Sequence, residues 1–291
     1  MRRLLIIGCG DVATRALPAL RAHYERIYAL TRTRERFSAL RTLGVVPVSG
    51  DLDDPATLHA LGGLGQEVLH CAPPPSQGTR DTRSIHLIAA LSRAAVPPRQ
   101  LVYISTTGVY GDCAGDVVAE TRPVNPQTDR ARRRADAERR LRQWGRRCRV
   151  RVCVLRAPGI YSEARLPLAR LRAGVPAVSP EEDAYTNHIH ADDLAAMVVL
   201  VFRRGWPGRL YNAADDTCLK MGDYFDLVAD RFGLPRPPRI SRDEARRSLP
   251  ANQWSFMNES RRVLNRRMKH ELGFRLRYPT VQAALTGVAA G

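Results

Sequence analysis

The opening residues constrain the fold more than any other stretch. Leu4 to Ile7 is a short unbroken apolar run, and Gly8-Cys9-Gly10-Asp11-Val12-Ala13 follows it directly. Four apolar residues are too few for a helix and fit a strand covered on both faces. The glycine spacing then has a physical use. Gly8 permits a tight turn, Gly10 lets the backbone approach a phosphate, and Ala13 keeps the next helix close to the sheet. The helix N-terminus adds amide donors for an anion. Strand before and helix after distinguish this segment from an ordinary turn. The Met1-Arg2-Arg3 start followed by apolar residues is like a signal peptide only briefly, because Gly8 ends the run.

Further along, short apolar runs alternate with helical patterns. Strands are expected at Arg26 to Leu30, Val45 to Val48, Glu67 to Cys71, Leu101 to Ile104 and Val150 to Leu155. Helices are expected from Asp11 to about His23, Glu35 to Leu43, Pro55 to Leu61, Thr82 to Ala94 and Arg130 to Trp144, with Pro18 kinking or interrupting the first. Strand–helix alternation implies parallel strands joined by right-handed crossovers. The expected fold is therefore α/β, a doubly wound parallel sheet of Rossmann type. Residues 1–155 would form the dinucleotide-binding core. Residues 156–291 would form a smaller, mixed, substrate-covering part, from which a strand near 209–212 returns to the core.

The second strand bears on which dinucleotide fits. An NAD site usually ends this strand with an acid that holds the ribose 2′-hydroxyl. Here Thr31-Arg32-Thr33-Arg34 follows, and an arginine fork suits a 2′-phosphate. NADP is therefore the expected cofactor, with NAD as the alternative. Arg15, one turn into the first helix, is a further candidate for that phosphate. Asp51 and Leu52 after the third strand, and Ala72 and Pro73 after the fourth, complete the cofactor set with Gly8, Gly10, Asp11, Val12, Ala13, Arg32 and Arg34.

Composition excludes some classes. Of 291 residues, 44% are hydrophobic and 26% charged, which fits a globular chain rather than a disordered or fibrous one. The net charge of +17 raises the question of nucleic acid, but 44 of the 46 cationic residues are arginine. Such a skew reflects codon composition more readily than phosphate contacts, and no nucleic-acid-binding motif is present. Residues 130–151 hold 11 arginines, read as the solvated face of an outer helix. The six cysteines form no Cys-x-x-Cys and no zinc spacing, so reduced thiols in a cytoplasmic protein are expected, with no metal. No apolar run is long enough to cross a bilayer.

Ser105-Thr106-Thr107-Gly108-Val109-Tyr110-Gly111 resembles the Ser-Ser-x-x-Val-Tyr-Gly segment of extended short-chain dehydrogenase/reductases, the NAD-dependent epimerase/dehydratase family. Leu155 to Tyr161 resembles the family's Arg-x-x-x-Ile-Tyr-Gly stretch. His188 to Leu194 resembles its Ile-His-Val-Asp-Asp, and Tyr211-Asn212 its Tyr-Asn. Ser260 to Arg267 with Glu271 to Phe274 resembles the ending of atypical members. The ordered set spans most of the chain. The resemblance implies hydride chemistry on a small molecule, with Thr106 in the place of the Ser/Thr that binds the substrate oxygen, and a homodimer as a common state.

The departure from the family is at its Tyr-x-x-x-Lys pair. Arg130 stands in the acid's place and Arg134 in the lysine's, while Glu138 keeps register. A guanidinium donates no proton at neutral pH. Arg134 can still hold ribose hydroxyls, and Arg130 can clamp an anionic substrate group. Tyr110, Tyr161 and His188 are the candidates for the missing acid. His188 and His190 share a strand face but lack an evident third metal ligand. The expected catalytic set is Thr106, Tyr110, Tyr161, Arg130 and Arg134. Two readings stay open: an NADP-preferring oxidoreductase on an unidentified small molecule, an anionic one among the options, or a silent NADP-binding regulatory or scaffold protein.

Overall fold

The computed structural model describes residues 2–287. Seven parallel strands form its central sheet, numbered here in chain order: β1 (Arg3–Ile7), β2 (Arg26–Thr31), β3 (Val46–Ser49), β4 (Glu67–His70), β5 (Gln100–Thr106), β6 (Arg151–Ala157) and β7 (Leu210–Asn212). Their spatial order is β7-β6-β5-β4-β1-β2-β3. The order reverses between β4 and β1, and such a switch point leaves a crevice at the carboxyl ends of the strands. The longer helices are α1 (Asp11–Arg21), α2 (Arg36–Thr42), α3 (Thr82–Ser92), α4 (Asp129–Cys148), α5 (Ala191–Arg204) and α6 (Met221–Arg231).

Strand alternation builds two cores. Leu4 and Ile6 face α1 and α5 through Ala13, Leu17, Leu194 and Val198. Leu5 and Ile7 face α3 and α4 through Leu87, Leu91, Leu141 and Trp144. Burying each such side chain stabilises the fold by roughly 1.5–3 kcal/mol, so both faces of the sheet are firmly held. Trp144 is buried, and its indole Nε1 donates to Ser92 Oγ at 3.0 Å, which ties α4 to α3.

Pro18 does not interrupt α1. The helix runs unbroken from Asp11 to Arg21 with Pro18 on its exposed side. The segment Pro55–Leu61 is a 3-10 helix, capped by the Asp54 side chain accepting from the Ala56 amide.

A cover is built from short paired strands, most of them after β6 and one before it. Gly159–Tyr161 runs parallel to His188–His190, and Val117–Val118 to Arg262–Val263. A third core of Leu171, Tyr224, Phe225, Val228, Val281 and Leu285 supports this cover. The strand β7 comes from the same half of the chain and pairs with β6, Leu210 to Val154 and Asn212 to Arg156.

Candidate active site

Two cavities meet at the switch point, sharing Gly8 and Pro73 in their walls. The smaller, about 260 Å³, opens over the ends of β1, β2 and β3. The larger, about 990 Å³, runs from the glycine loop to the cover.

The glycine loop has the form that a diphosphate needs. Gly8 sits at φ +88°, and a Cβ there would lie 2.6 Å from the Ala72 amide nitrogen, so only glycine fits. A Cβ on Gly10 would meet nothing within 4 Å, so its face is open for a ligand to approach. The Thr14 amide bonds back to the Gly10 carbonyl at 2.9 Å and starts α1. Asp11, Val12 and Ala13 line the larger cavity. These residues fit a pyrophosphate at a helix N-terminus.

In the smaller cavity, Arg32, Asp51, Leu52, Ala72 and Pro73 all line the wall. Arg34 does not; it is exposed and lines neither cavity. Arg36 takes its place, and its guanidinium reaches back to donate to the Cys9 carbonyl at 2.7 Å. Arg36 lay two residues beyond the stretch that the strand ending singled out. Arg83 also lines the wall and binds Asp53 through both carboxylate oxygens at 2.7 and 2.6 Å. That pairing holds Asp53 below the usual carboxylate range. Arg15 is elsewhere, paired with Asp11 and Asp192 at 2.7 and 2.6 Å.

The larger cavity gathers the other residues. Thr106 ends β5 and lines it, its Oγ1 accepting from the Gly108 amide at 3.1 Å. Arg134 lines it from α4, donating to the Tyr103 hydroxyl at 3.0 Å and the Ile104 carbonyl at 2.8 Å. Arg130 stacks over the Phe256 ring at 3.9 Å. Burial lowers the proton affinity of Arg130, and Arg134, Arg261 and Arg133 add to the effect while Glu259 opposes it. Arg133, Arg165 and Arg261 line the same space. Arg133 donates to the Gly78 carbonyl, Arg165 pairs with Asp11, and Arg261 pairs with Glu259 at 2.7 Å. The cavity is thus rich in guanidinium groups that spacing alone had not brought together.

Tyr110 is not in this space. It is 1% exposed, lines neither cavity, and donates its hydroxyl proton to Asn212 Oδ1 at 2.7 Å. Its ring packs under the Arg156 guanidinium at 4.6 Å. The 3-10 turn Thr107–Tyr110 directs it into the interior. Glu138 is also internal, accepting from Ser105 Oγ at 2.5 Å and from Arg156 at 2.6 Å.

Tyr161 does line the cavity, buried between the rings of His188 and His190 at 6.0 and 5.2 Å. Burial pushes its proton affinity up, and neighbouring Asp215 adds to that. Burial pushes the His188 imidazole down to about 4, so it is neutral at pH 7 and is not a cationic acid. His190 Nδ1 accepts from the Asp192 amide at 3.2 Å and caps α5. Among the described residues no group of three or more His, Cys, Asp or Glu side chains is placed to hold a metal ion. Among them also, no helix is long and apolar enough to cross a membrane.

A doubly wound parallel sheet with a glycine turn after its first strand and a cleft at its switch point defines a Rossmann-type dinucleotide-binding protein. Within that class, residues 4–214 match the NAD dependent epimerase/dehydratase family, and the chain belongs to this family. The chain is 25% identical to Protein YeeZ of Escherichia coli strain K12, over 96% of this chain and 97% of that one. A solved structure of a functionally unknown conserved protein from Silicibacter pomeroyi DSS superimposes with a TM-score of 0.80 at 29% identity, covering 98% of this chain and 97% of that one. DesIV, a dTDP-glucose 4,6-dehydratase from Streptomyces venezuelae with NAD and TYD bound, shares the fold at a TM-score of 0.76 and 19% identity, covering 95% and 92%.

Proposed function

We propose that this protein is an NADP-preferring oxidoreductase of the extended short-chain type that acts on an anionic small molecule. The observation that carries the reading is the continuity of the two cavities through Gly8 and Pro73. One trough leads from Arg32 and Arg36 past Gly8 and Gly10 to Thr106, Arg134 and Tyr161.

Each residue has a part that its position supports. Arg32 and Arg36 hold a 2′-phosphate where an NAD site carries an acid. Gly8, Gly10 and the α1 amides hold the diphosphate. Arg134, already fixed by Tyr103 and Ile104, holds ribose hydroxyls. When bound, the cofactor supplies or accepts a hydride. Thr106 donates a hydrogen bond to the substrate oxygen, whereas the Tyr161 hydroxyl is buried in the cleft wall and would have to turn outward to give that oxygen a proton. Arg130 and Arg261 clamp the anionic group, two guanidinium forks near one face of the cleft.

Nucleotide affinity measured by NADPH and NADH fluorescence titration tests the cofactor. The expected result is tighter NADPH binding, lowered roughly 10- to 100-fold by Arg36→Ala, with NADH little changed. Equal affinity for both nucleotides in the wild type would remove the preference. A second reading, a silent NADP-binding protein, is favoured by one observation: Arg130 stands in the family's acid position and stacks on Phe256. Tight NADPH binding with no oxidation of it by any carbonyl in a broad anionic panel would favour that reading.

A further inference from the structure

The short turn after the Gly159–Tyr161 strand reaches across to the glycine loop. It is a three-residue 3-10 helix, Glu163–Arg165, closed by the Arg165 amide donating to the Ser162 carbonyl at 2.8 Å. None of its residues is buried. The Arg165 side chain lines the larger cavity together with Gly8, Gly10 and Asp11, and its Nε lies 3.3 Å from Asp11 Oδ2. This contact is an ion pair without the geometry of a hydrogen bond, since Asp11 Oδ2 is buried with no hydrogen-bond partner among the described residues. The Arg165 side chain is 46% exposed, and its guanidinium makes no hydrogen bond among those residues either. A guanidinium has five N–H donors, so this one holds its whole donor set in reserve.

Asp11 is held in place without Arg165. Its Oδ1 accepts from Arg15 Nε at 2.7 Å, and Arg15 also donates to Asp192 Oδ1 at 2.6 Å. Arg15 is thus committed to two carboxylates. A diphosphate at the start of α1 would lie beside the Asp11 carboxylate, a like charge. The Gly10 cap gives the first-turn amides no side-chain partner, which leaves them for an anion. Their helix end supplies only about half a unit of positive charge. A cation is needed there as well. Of the other guanidinium groups in the larger cavity, Arg133 holds the Gly78 carbonyl, Arg134 holds Tyr103 and Ile104, Arg261 pairs with Glu259, and Arg130 lies over Phe256. Arg165 alone among them touches the glycine loop.

We propose that Arg165 is a cofactor-binding residue, a clamp that turns from the Asp11 carboxylate to the neighbouring diphosphate when the dinucleotide enters. The inference rests on the dinucleotide reading above and deepens it. The planar fork matches phosphate oxygens through paired, charge-assisted hydrogen bonds, which replace an ion pair that fills none of its donors. Arg165 belongs to the cover and Asp11 to the sheet core, so the same turn fastens the cover over the bound nucleotide.

Isothermal titration calorimetry tests the clamp with NADPH, NADH and adenosine 2′-monophosphate, which has no diphosphate bridge. Arg165→Ala should weaken both dinucleotides by the same factor, roughly 10- to 100-fold, and leave the monophosphate unchanged. A residue that only steadied Asp11 would cost nothing to remove once Asp11 is gone. The clamp requires the opposite. In an Asp11→Asn background the loss from Arg165→Ala should be at least as large as in the wild type, because no carboxylate competes for the guanidinium. Unchanged dinucleotide affinity in Arg165→Ala, an equal loss for the monophosphate, or a loss that disappears in the Asp11→Asn background overturns the proposal. Should Arg165→Ala not fold, Arg165→Gln decides by the same titrations. A wild type that binds neither dinucleotide overturns the dinucleotide reading and the clamp with it, and that outcome is seen before any variant is compared.

Discussion

At the scale of single residues, burial sets the chemistry more than sequence spacing does. Thr106, Tyr161 and the glycine loop were legible because each sits at or beside a strand end, where local order places a residue at the cleft, whereas Arg134 enters it from α4. Tyr110 was misleading because a single 3-10 turn decides whether a tyrosine faces outward or inward. Arg261 reaches the site only through tertiary folding, and no nearby pattern signals it. The buried histidines yield a prediction. Burial, with the Arg134 charge, pushes His70 down to about 3, and burial pushes His188 down to about 4. The unfolded chain takes up these protons near pH 6.5, whereas the folded chain refuses them until the lower values. Stability that is present above pH 6.5 is therefore lost as the pH falls toward 4. Asp215 acts in the opposite sense, since its raised affinity gives stability at lower pH that is lost as the pH rises through about 7. Comparing urea unfolding of the wild type and His70→Gln at pH 7.5 and 5.0 isolates the first effect. The loss on acidification should be smaller in the variant by about 2 kcal/mol; identical losses would refute the neutral burial of His70.

At the scale of elements, the strands of the sheet were readable as apolar runs, and the helices between them followed from periodicity. The two-residue pairings of the cover were not, since Val117–Val118 and Arg262–Val263 lie far apart in sequence and carry no period. The unbroken α1 shows the limit of a single-residue rule: an exposed Pro18 loses one hydrogen bond without ending a helix that Ala16, Leu17 and Leu20 hold against the sheet. The longest helix, α4, ends at Arg149 in the left-handed region, with φ +56°. Glycine adopts that conformation at little cost, whereas an L side chain pays about 1 kcal/mol. Arg149→Gly should raise the unfolding free energy by about 0.5–1 kcal/mol, measured by urea titration, and leave nucleotide binding unchanged. A destabilised variant would mean that the Arg149 side chain contributes more than its backbone costs.

At the scale of the whole molecule, a net charge of +17 makes the folded chain repel itself. The nine arginines of α4 concentrate that repulsion, and Asp136 offsets part of it by pairing with Arg139 and Arg140. Added salt shortens the Debye length from about 10 Å at 0.1 M to about 3 Å at 1 M. The melting temperature should therefore rise by a few degrees between 0.05 and 0.5 M sodium chloride, followed by calorimetry. A fall over that range would show that attractive ion pairs outweigh the repulsion.

The pairing of β7 with β6 reaches beyond architecture. A ribosome will have released the whole glycine turn and the six other strands of the sheet long before Leu210–Asn212 emerges to close the far flank. Until then the β6 edge is bare, and an open strand edge is a template for mispairing. The nascent chain must wait for its second half before the first is safe from aggregation.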